Sequence, residues 1–137
     1  MSHSNNQWPT EIRLMKDKRT LCVSFEDGSH FHLAAEYLRV ESPSAEVKGH
    51  SPAERKTVPG KRNVTISAID PVGNYAVKLK FDDGHDTGIY SWEYLRELAL
   101  HQQTMWDEYL NRLRKAGERR EPLATGVQVV NIMPLKH

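Results

Sequence analysis

Histidines are the main residues through which this chain could do chemistry. His30 and His32 share one face of any strand that contains them, and two imidazoles at this spacing can supply two metal ligands. His85 stands in the run Asp83-Gly84-His85-Asp86, where a neighbouring carboxylate can orient an imidazole or raise its basicity. Both patterns are also typical of structural residues: an exposed polar strand face for the pair, and a hydrogen bond within a turn for His85.

Complete catalytic motifs are missing from the sequence. It contains no nucleophile elbow, P-loop, Gly-rich dinucleotide fingerprint or His-Glu-x-x-His helix. Its one cysteine, Cys22, excludes an internal disulfide and a zinc site built on several cysteines. Cys22 falls in an alternating apolar segment, which predicts a buried and inert thiol.

The overall composition is that of one globular domain. The chain has 137 residues, of which 38% are hydrophobic and 27% charged, and its net charge is +1. Such a charge gives no global attraction to nucleic acid or to an anionic membrane. No apolar run approaches the roughly 20 residues that span a bilayer, and Met1–Asn6 lacks the apolar stretch of a signal peptide. We therefore expect a cytoplasmic protein without membrane contact.

Two short stretches are nevertheless basic. Residues 48–63 contain five Lys or Arg and one Glu, and residues 112–120 contain five Lys or Arg and Glu118. A solvated protein face is the usual meaning of such stretches, so they do not favour nucleic-acid binding.

The elements that must position these residues form an imperfect repeat. Alternating apolar and polar residues predict six strands. These are residues 11–15, 21–25, 29–33, 64–68, 75–81 and 85–90. Phe25-Glu26-Asp27-Gly28 and Phe81-Asp82-Asp83-Gly84 predict hairpin turns, and an identical Glu-Tyr-Leu-Arg comes after each of them. Because short turns require antiparallel pairing, the predicted fold class is α+β, with two small, mainly antiparallel sheets related by a pseudo-repeat.

The strand pattern also predicts which side chains face the core. In the two central strands, the odd-numbered positions from Leu21 to Phe25 and from Tyr75 to Phe81 should point inward. The run Asp70–Asn74 is rich in turn formers and predicts the connection between two strands.

Helices are predicted after each hairpin. Residues 34–39 fit a short helix, and a long C-terminal helix begins after Ser91, a good N-cap. This helix should end at Gly117, and a drop in hydrophobicity at residues 102–104 predicts a break within it.

Two segments have no clear pattern. Residues 41–62 contain three prolines and form a connection long enough to be functional or mobile. We assign residues 10–117 to the domain and residues 118–137 to a C-terminal tail, in which Val127–Ile132 could form a strand or bind a partner. Partial disorder of this tail is an equal alternative.

The longest motifs resemble a known family. Residues 70–75 (Asp-Pro-Val-Gly-Asn-Tyr) and 81–92 (Phe-Asp-Asp-Gly-His-Asp-Thr-Gly-Ile-Tyr-Ser-Trp), with Tyr37-Leu38-Arg39 and the run 41–47, resemble the gamma-butyrobetaine hydroxylase-like N-terminal domain family. The resemblance covers about residues 10–117. The resemblance implies a small stand-alone bacterial protein, a group of family members whose function is unknown.

The resemblance also implies a zinc site that this sequence has altered. The family holds a structural zinc through three cysteines and a histidine. His85 matches the histidine, whereas Ser42, Ser44 and Val47 occupy the cysteine positions. Serine is a poor zinc ligand and valine is none, so we expect the inherited zinc site to be lost.

The family's enzymes and fusions imply further expectations. In the full-length hydroxylases, a separate domain holds catalytic iron and 2-oxoglutarate. This sequence has no counterpart of that domain, so we do not expect it to catalyse the hydroxylation. Similar domains are fused to chloroplast P-loop ATPases that carry iron–sulfur clusters, which implies a role near iron–sulfur or metal metabolism.

Two functions lead at this point, and an independent enzyme with an unrecognised site around His85 and Asp86 is a third alternative. The leading hypothesis is a non-catalytic protein-binding or adaptor domain with an unknown protein partner and no cofactor. The alternative is a rearranged zinc or iron site formed by His85, His50, Glu46 and Asp86, whose N and O donors would suit such metals. If no metal binds there, we expect His85 to have a structural or surface-recognition role, with Asp83 or Asp86 near enough to bond its imidazole.

Overall fold

The computed structural model describes residues 8–122 and contains two three-stranded antiparallel sheets. The strands of the first sheet lie in the order β1–β2–β3 and those of the second in the order β4–β5–β6. Their bounds are β1 Pro9–Leu14, β2 Thr20–Phe25, β3 His30–Ala34, β4 Ile66–Val72, β5 Ala76–Phe81 and β6 Gly88–Ser91. The predicted fold class is confirmed.

The inward faces of the two central strands form most of the core. Leu21, Val23 and Phe25 are buried, as predicted. In the second sheet the prediction holds for residues 77, 79 and 81 but is wrong for Tyr75, which is 55% exposed. Tyr75 lies in the turn before β5, so the alternation of the strand does not include it.

The turn between β4 and β5 lies later than the sequence predicted. β4 continues through Asp70, Pro71 and Val72, and the chain reverses at Gly73, whose φ is +53°. Pro71 is tolerated because β4 is an edge strand, where a missing N–H breaks no ladder bond on the open side. The last strand also starts later, at Gly88, which leaves His85 outside it.

Within residues 8–122, four α-helices accompany the sheets. These are α1 Ala35–Val40, α2 Ala45–Lys48, α3 Trp92–Leu100 and α4 Gln102–Ala116. Ser91 caps α3 by accepting the Tyr94 N–H at 3.1 Å, and Gly117 ends α4 at a φ of +68°, as predicted. The predicted break falls at His101, between α3 and α4. Among the described residues, no helix is long and apolar enough to cross a membrane.

Equivalent residues of the two halves of the repeat form reciprocal contacts with the opposite half. Arg39 at the end of α1 pairs with Asp83 of the second hairpin, and Arg96 of α3 pairs with Asp27 of the first, both at 2.8 Å. The tyrosines of the two Glu-Tyr-Leu-Arg runs also bond to the opposite half. The Tyr37 hydroxyl donates to the Leu98 carbonyl at 2.8 Å, and the Tyr94 hydroxyl donates to the Glu41 carbonyl at 2.6 Å. Each half therefore completes the other.

The long connection 41–62 packs against the C-terminal half of α4. The Tyr109 hydroxyl donates to the Val58 carbonyl at 2.5 Å, and Val58 packs beside Val40 and Leu113. Backbone N–H groups of residues 60 and 62 donate to the carbonyls of residues 119 and 120 at 2.9 and 3.0 Å. This connection is thus an ordered part of the fold. The predicted tail strand at 127–132 lies outside the described residues.

Candidate functional site

The imidazole of His85 occupies the centre of a small polar site. Its side chain is 3% exposed. The Ser42 Oγ lies 2.8 Å from Nε2, and the Glu46 Oε1 lies 3.2 Å from Nδ1. A carboxylate can only accept, so Nδ1 carries the proton and Nε2 accepts from the Ser42 hydroxyl. Three side chains therefore form one chain of hydrogen bonds.

The hairpin before His85 fixes its backbone. Gly84 adopts a φ of +92°, which glycine tolerates without strain. The Asp83 Oδ1 accepts the His85 backbone N–H at 3.0 Å. The expectation that Asp83 or Asp86 bonds the imidazole was wrong, because the ring contacts Ser42 and Glu46 instead. The Asp83 carboxylate accepts the His85 backbone N–H and pairs with Arg39.

A short segment after α1 brings its serines to the hairpin. Ser44 caps α2 by accepting the Glu46 N–H at 3.2 Å, and its hydroxyl also lies 2.8 Å from the Thr87 hydroxyl. Gly88 packs so closely that a Cβ on it would lie 2.5 Å from the Ser42 Oγ. A residue larger than glycine at position 88 would therefore push the two segments apart.

Burial favours the neutral form of the His85 imidazole. Removal from solvent lowers the pKa of His85, and the nearby Arg39 guanidinium lowers it further, while Glu46 and Asp83 oppose the shift. A neutral ring suits the hydrogen-bond chain, since one nitrogen donates and the other accepts.

The donor set does not fit the zinc that the resemblance implies. Of the positions matched to zinc ligands, only His85 carries a good donor, and its Nε2 already bonds to Ser42. Val47 is 2% exposed and packs as an apolar residue. In this chain, hydrogen bonds join the same segments that a zinc ion would join.

The order Ser42, His85, Glu46 is also that of a hydrolase triad, but burial argues against that chemistry. Ser42 is 0% exposed, so a substrate carbonyl has no route to its hydroxyl. Glu46, by contrast, is exposed to solvent, which screens its interaction with the ring. The arrangement joins residues 42 and 46 to the second hairpin through the His85 ring.

Only two of the four residues proposed as metal ligands meet. His85 contacts Glu46, whereas His50 and Asp86 are exposed. The His50 backbone N–H donates to Glu54 at 2.7 Å. Within residues 8–122, no group of three His, Cys, Asp or Glu side chains is placed to hold a metal. The four-residue site stays a prediction.

The other histidine pair lies on the outer face of the first sheet. His30 and His32 are exposed there, and the His30 Nδ1 lies 2.8 Å from the Ser24 Oγ. With Cys22 they line an open depression of about 300 Å³. Cys22 is half-buried rather than buried, because it points away from the core side of β2.

A buried carboxylate is the feature that the sequence patterns did not reveal. Glu41 is 1% exposed and contacts three cations from different elements. Its carboxylate oxygens lie 2.6 Å from Arg55, 3.3 Å from Lys48 and 3.7 Å from Arg112. Glu41 comes directly after the six-residue helix α1, and nothing in the sequence around it indicates that its carboxylate is buried.

The fold also joins the two basic stretches. The backbone bonds between residues 60–62 and 119–120, and the Tyr109–Val58 bond, place them side by side. We call the Lys and Arg side chains of residues 48–62 and 112–120 the basic face. It holds ten of the nineteen Lys and Arg of the chain. The remainder of the chain is therefore acidic, although the net charge is only +1.

Comparisons with known proteins agree with this fold. The family model "Gamma-butyrobetaine hydroxylase-like, N-terminal" matches residues 12–96. One solution NMR structure is 49% identical, with a TM-score of 0.74, over 96% of this chain and 98% of that chain. Another is 42% identical, with a TM-score of 0.75, over 91% and 98%.

A third similar structure is a crystal structure of a DUF971-family protein of unknown function from Acidithiobacillus ferrooxidans. It is 43% identical, with a TM-score of 0.58, over 72% of this chain and 98% of that chain. A search of curated proteins finds no significant match. Because the family model covers more than half of the chain, including both hairpins, the chain belongs to the gamma-butyrobetaine hydroxylase-like N-terminal domain family.

Proposed function

We propose that this protein is a non-catalytic binding domain that docks an acidic partner protein on its basic face. The observation that carries the proposal is the convergence of two basic stretches that are far apart in the sequence. Clustered like charge on one side of a nearly neutral protein steers a partner of opposite charge and fixes its orientation.

Several of these cations are free to meet a partner. Lys56, Lys115 and Arg119 are exposed and form no ion pair with any residue between 8 and 122. Other members of the basic face are engaged, since Lys61 pairs with Asp83 and Arg62 pairs with Glu121. The unpaired cations therefore supply the charge that a partner would meet.

The test compares two charge-reversed variants. The basic-face variant carries Lys56→Glu, Lys115→Glu and Arg119→Glu. The matched control carries Lys16→Glu, Lys18→Glu and Arg19→Glu in the exposed turn between β1 and β2. Both change the same types of residue in the same number, so their net charges are equal.

Each variant and the wild type are used to enrich proteins from a native lysate, in parallel with and without nuclease treatment. We expect the wild type and the control to retain the same acidic protein, and the basic-face variant to lose it. The retained protein, once purified, should bind more weakly as salt is raised. Equal retention by all three chains, or binding that nuclease abolishes, would contradict the proposal.

Metal binding is a second candidate, favoured by the contact between Glu46 and His85. A metal would need His50 and Asp86 to move toward this pair. Elemental analysis of untagged protein, before and after incubation with zinc and iron, tests it. Less than about one tenth of an equivalent of metal after incubation would exclude a structural site, which binds tightly. The link to iron–sulfur metabolism rests on the fused relatives and would be tested by the identity of the partner.

A further inference from the structure

We infer that Lys48, Arg55 and Arg112 form a binding site for a phosphate dianion, either free phosphate or the phosphoryl group of a monoester. The inference goes beyond the proposed function, because phosphate could bind whether or not a protein docks on the basic face. It rests on the charge, the hydrogen-bond donors and the exposure of these three side chains.

The charge around Glu41 is unbalanced. Three cations from α2, the connection 41–62 and α4 share one carboxylate, which leaves two positive charges. Glu108 raises the pKa of Arg112, but within residues 8–122 no acid other than Glu41 forms an ion pair with these three cations. Glu54 is exposed and accepts the His50 N–H, and Glu108 is exposed one helical turn before Arg112. A phosphate dianion would match the surplus, whereas a single carboxylate would leave half of it.

Unused donors are present in the same cluster. The Nε atoms of Arg55 and Arg112 are buried and have no hydrogen-bond partner among the described residues. Buried donors without partners are costly, and a guanidinium offers a planar edge that fits phosphate oxygens. A small shift of either side chain would turn such an edge toward a ligand.

The site is open on one side and closed on the other. The side chains of Lys48, Arg55 and Arg112 are 28%, 23% and 29% exposed, so each is partly accessible from solvent. The carboxylate of Glu41 closes the inner side. Lys48 lies 5.5 Å from the centre of the Tyr94 ring and Arg112 lies 5.9 Å from that of Tyr109, which restrains both cations.

The ionisation of the cluster supports an anionic ligand. Burial lowers the pKa of Lys48 and of Arg112, and the positive charge of Arg55 lowers both pKa values further. For Arg112, this effect of Arg55 is larger than the opposing effect of Glu41. An added anion would relieve this repulsion, so phosphate binding should stabilise the folded protein.

The experiment titrates the full chain with inorganic phosphate at constant ionic strength, using calorimetry, with chloride as the blank. We expect one site. Arg55→Gln and Arg112→Gln should each weaken it by about tenfold, the scale of one lost charge-assisted hydrogen bond. Arg62→Gln removes one charge from an exposed pair of the same basic face and should change the affinity less than about twofold.

Glu41→Gln gives the sharpest contrast. It removes the carboxylate that competes with phosphate for the same cations, so binding should become stronger. Arg55→Lys and Arg112→Lys keep the charge and lose the guanidinium edge, so they should bind more weakly than the wild type while remaining folded. O-phosphoserine in a parallel titration separates the sources: tighter binding indicates a monoester, and weaker binding indicates the free ion.

A phosphate titration of the wild type, followed by NMR through its amide chemical shifts, tests the site without any variant that could fail to fold. Phosphate should perturb residues 48, 55 and 112 more than residues in the turn 16–19. Absence of saturable binding, perturbation elsewhere, or equal affinity in Arg112→Gln and Arg62→Gln would overturn the inference.

Discussion

The two hairpins have the same backbone but different surroundings. In the first, the Phe25 N–H donates to the Ser29 carbonyl at 2.9 Å, and in the second the Phe81 N–H donates to the His85 carbonyl at the same distance. The Asp27 and Asp83 side chains accept the N–H groups of Ser29 and His85 respectively. The backbone geometry of a hairpin is thus set by the Asp-Gly turn and not by the segments that cover it.

The coverings differ because the chain takes a different path after each helix. After α1 it enters the connection 41–62, which returns over the second hairpin and buries His85 against Ser42. After α3 it continues into α4, and the first hairpin keeps the half-buried Ser29 at the equivalent position. The connection 41–62, which has no counterpart after α3, therefore distinguishes the surroundings of two equivalent turns.

A second equivalent pair shows the same contrast. The carbonyls of Glu41 and Leu98 accept the two equivalent tyrosine hydroxyls. Their side chains differ, since Leu98 joins the apolar core and Glu41 gathers three cations. Two of those cations, Lys48 and Arg55, lie in the connection 41–62.

Replacing Glu41 by the residue of its counterpart should have the largest effect. Glu41→Leu leaves three partly buried cations without a carboxylate, so we expect a loss of about 3 kcal/mol in the free energy of unfolding. Urea unfolding measures it. The reverse change, Leu98→Glu, places an unpaired carboxylate in the core and should unfold the protein. A loss below about 0.5 kcal/mol for Glu41→Leu would show that the cluster does not stabilise the fold.

The covered hairpin should depend more on its side chain than the open one does. His85→Ala removes a buried ring and leaves the Ser42 hydroxyl without its acceptor, so it should cost about 1–2 kcal/mol. Ser29→Ala at the equivalent position should cost less than about 1 kcal/mol, because Arg96 still reaches Asp27. Chemical denaturation of both variants compares them, and equal losses would contradict the distinction between the hairpins.

The reciprocal arginine pairs should differ in the same direction. Arg39 and Asp83 are 11% and 17% exposed, and Arg96 and Asp27 are 19% and 36% exposed. Because solvent screens the second pair more, a double-mutant cycle should give a coupling of about 1–2 kcal/mol for Arg39–Asp83 and a weaker one for Arg96–Asp27. A larger coupling in the first hairpin would reverse this ranking.

Acid should weaken both pairs. Burial opposes ionisation of Asp83, but hydrogen bonds from Lys61, the His85 N–H and Arg39 lower its pKa to about 2. Hydrogen bonds from Arg96 and Ser29 lower the pKa of Asp27 as well. Carboxylates with a lowered pKa stabilise the fold above their unfolded pKa, and this contribution is lost as the pH falls from about 4 toward 2.

The urea midpoint of the wild type should therefore fall over that pH range. The Asp27→Asn, Asp83→Asn double variant should show a smaller fall, because neither position then changes its charge. If the two proteins lose stability in parallel between pH 4 and 2, other carboxylates cause the acid sensitivity.

The fold could be predicted because strands, turns and helix ends depend on residues that are close together in the sequence. Alternation placed the six strands, and Ser91 and Gly117 set the ends of the C-terminal helical region. The errors also have local causes: Tyr75 continues the alternation in the sequence but lies in the turn, and Pro71 is compatible with an edge strand.

The site was predicted only in part, because it depends on contacts between distant segments. The resemblance pointed to His85, Ser42 and Ser44, and the structure places all three together. The burial of Glu41 and the packing of the two basic stretches depend on the path of the connection 41–62. That path is set by contacts such as Tyr109 with Val58, which no periodicity in the sequence reveals.

The central claim is that hydrogen bonds, without a metal ion, hold residues 42–46 against the second hairpin. Thermal unfolding of the wild type with and without a strong chelator tests it. The variant Ser42→Cys, Ser44→Cys, Val47→Cys, loaded with zinc, serves as the positive control, because it restores the family's ligands around His85. We predict that the chelator leaves the melting temperature of the wild type unchanged and lowers that of the control. A drop of many degrees in the wild type that is absent in His85→Ala would contradict the claim.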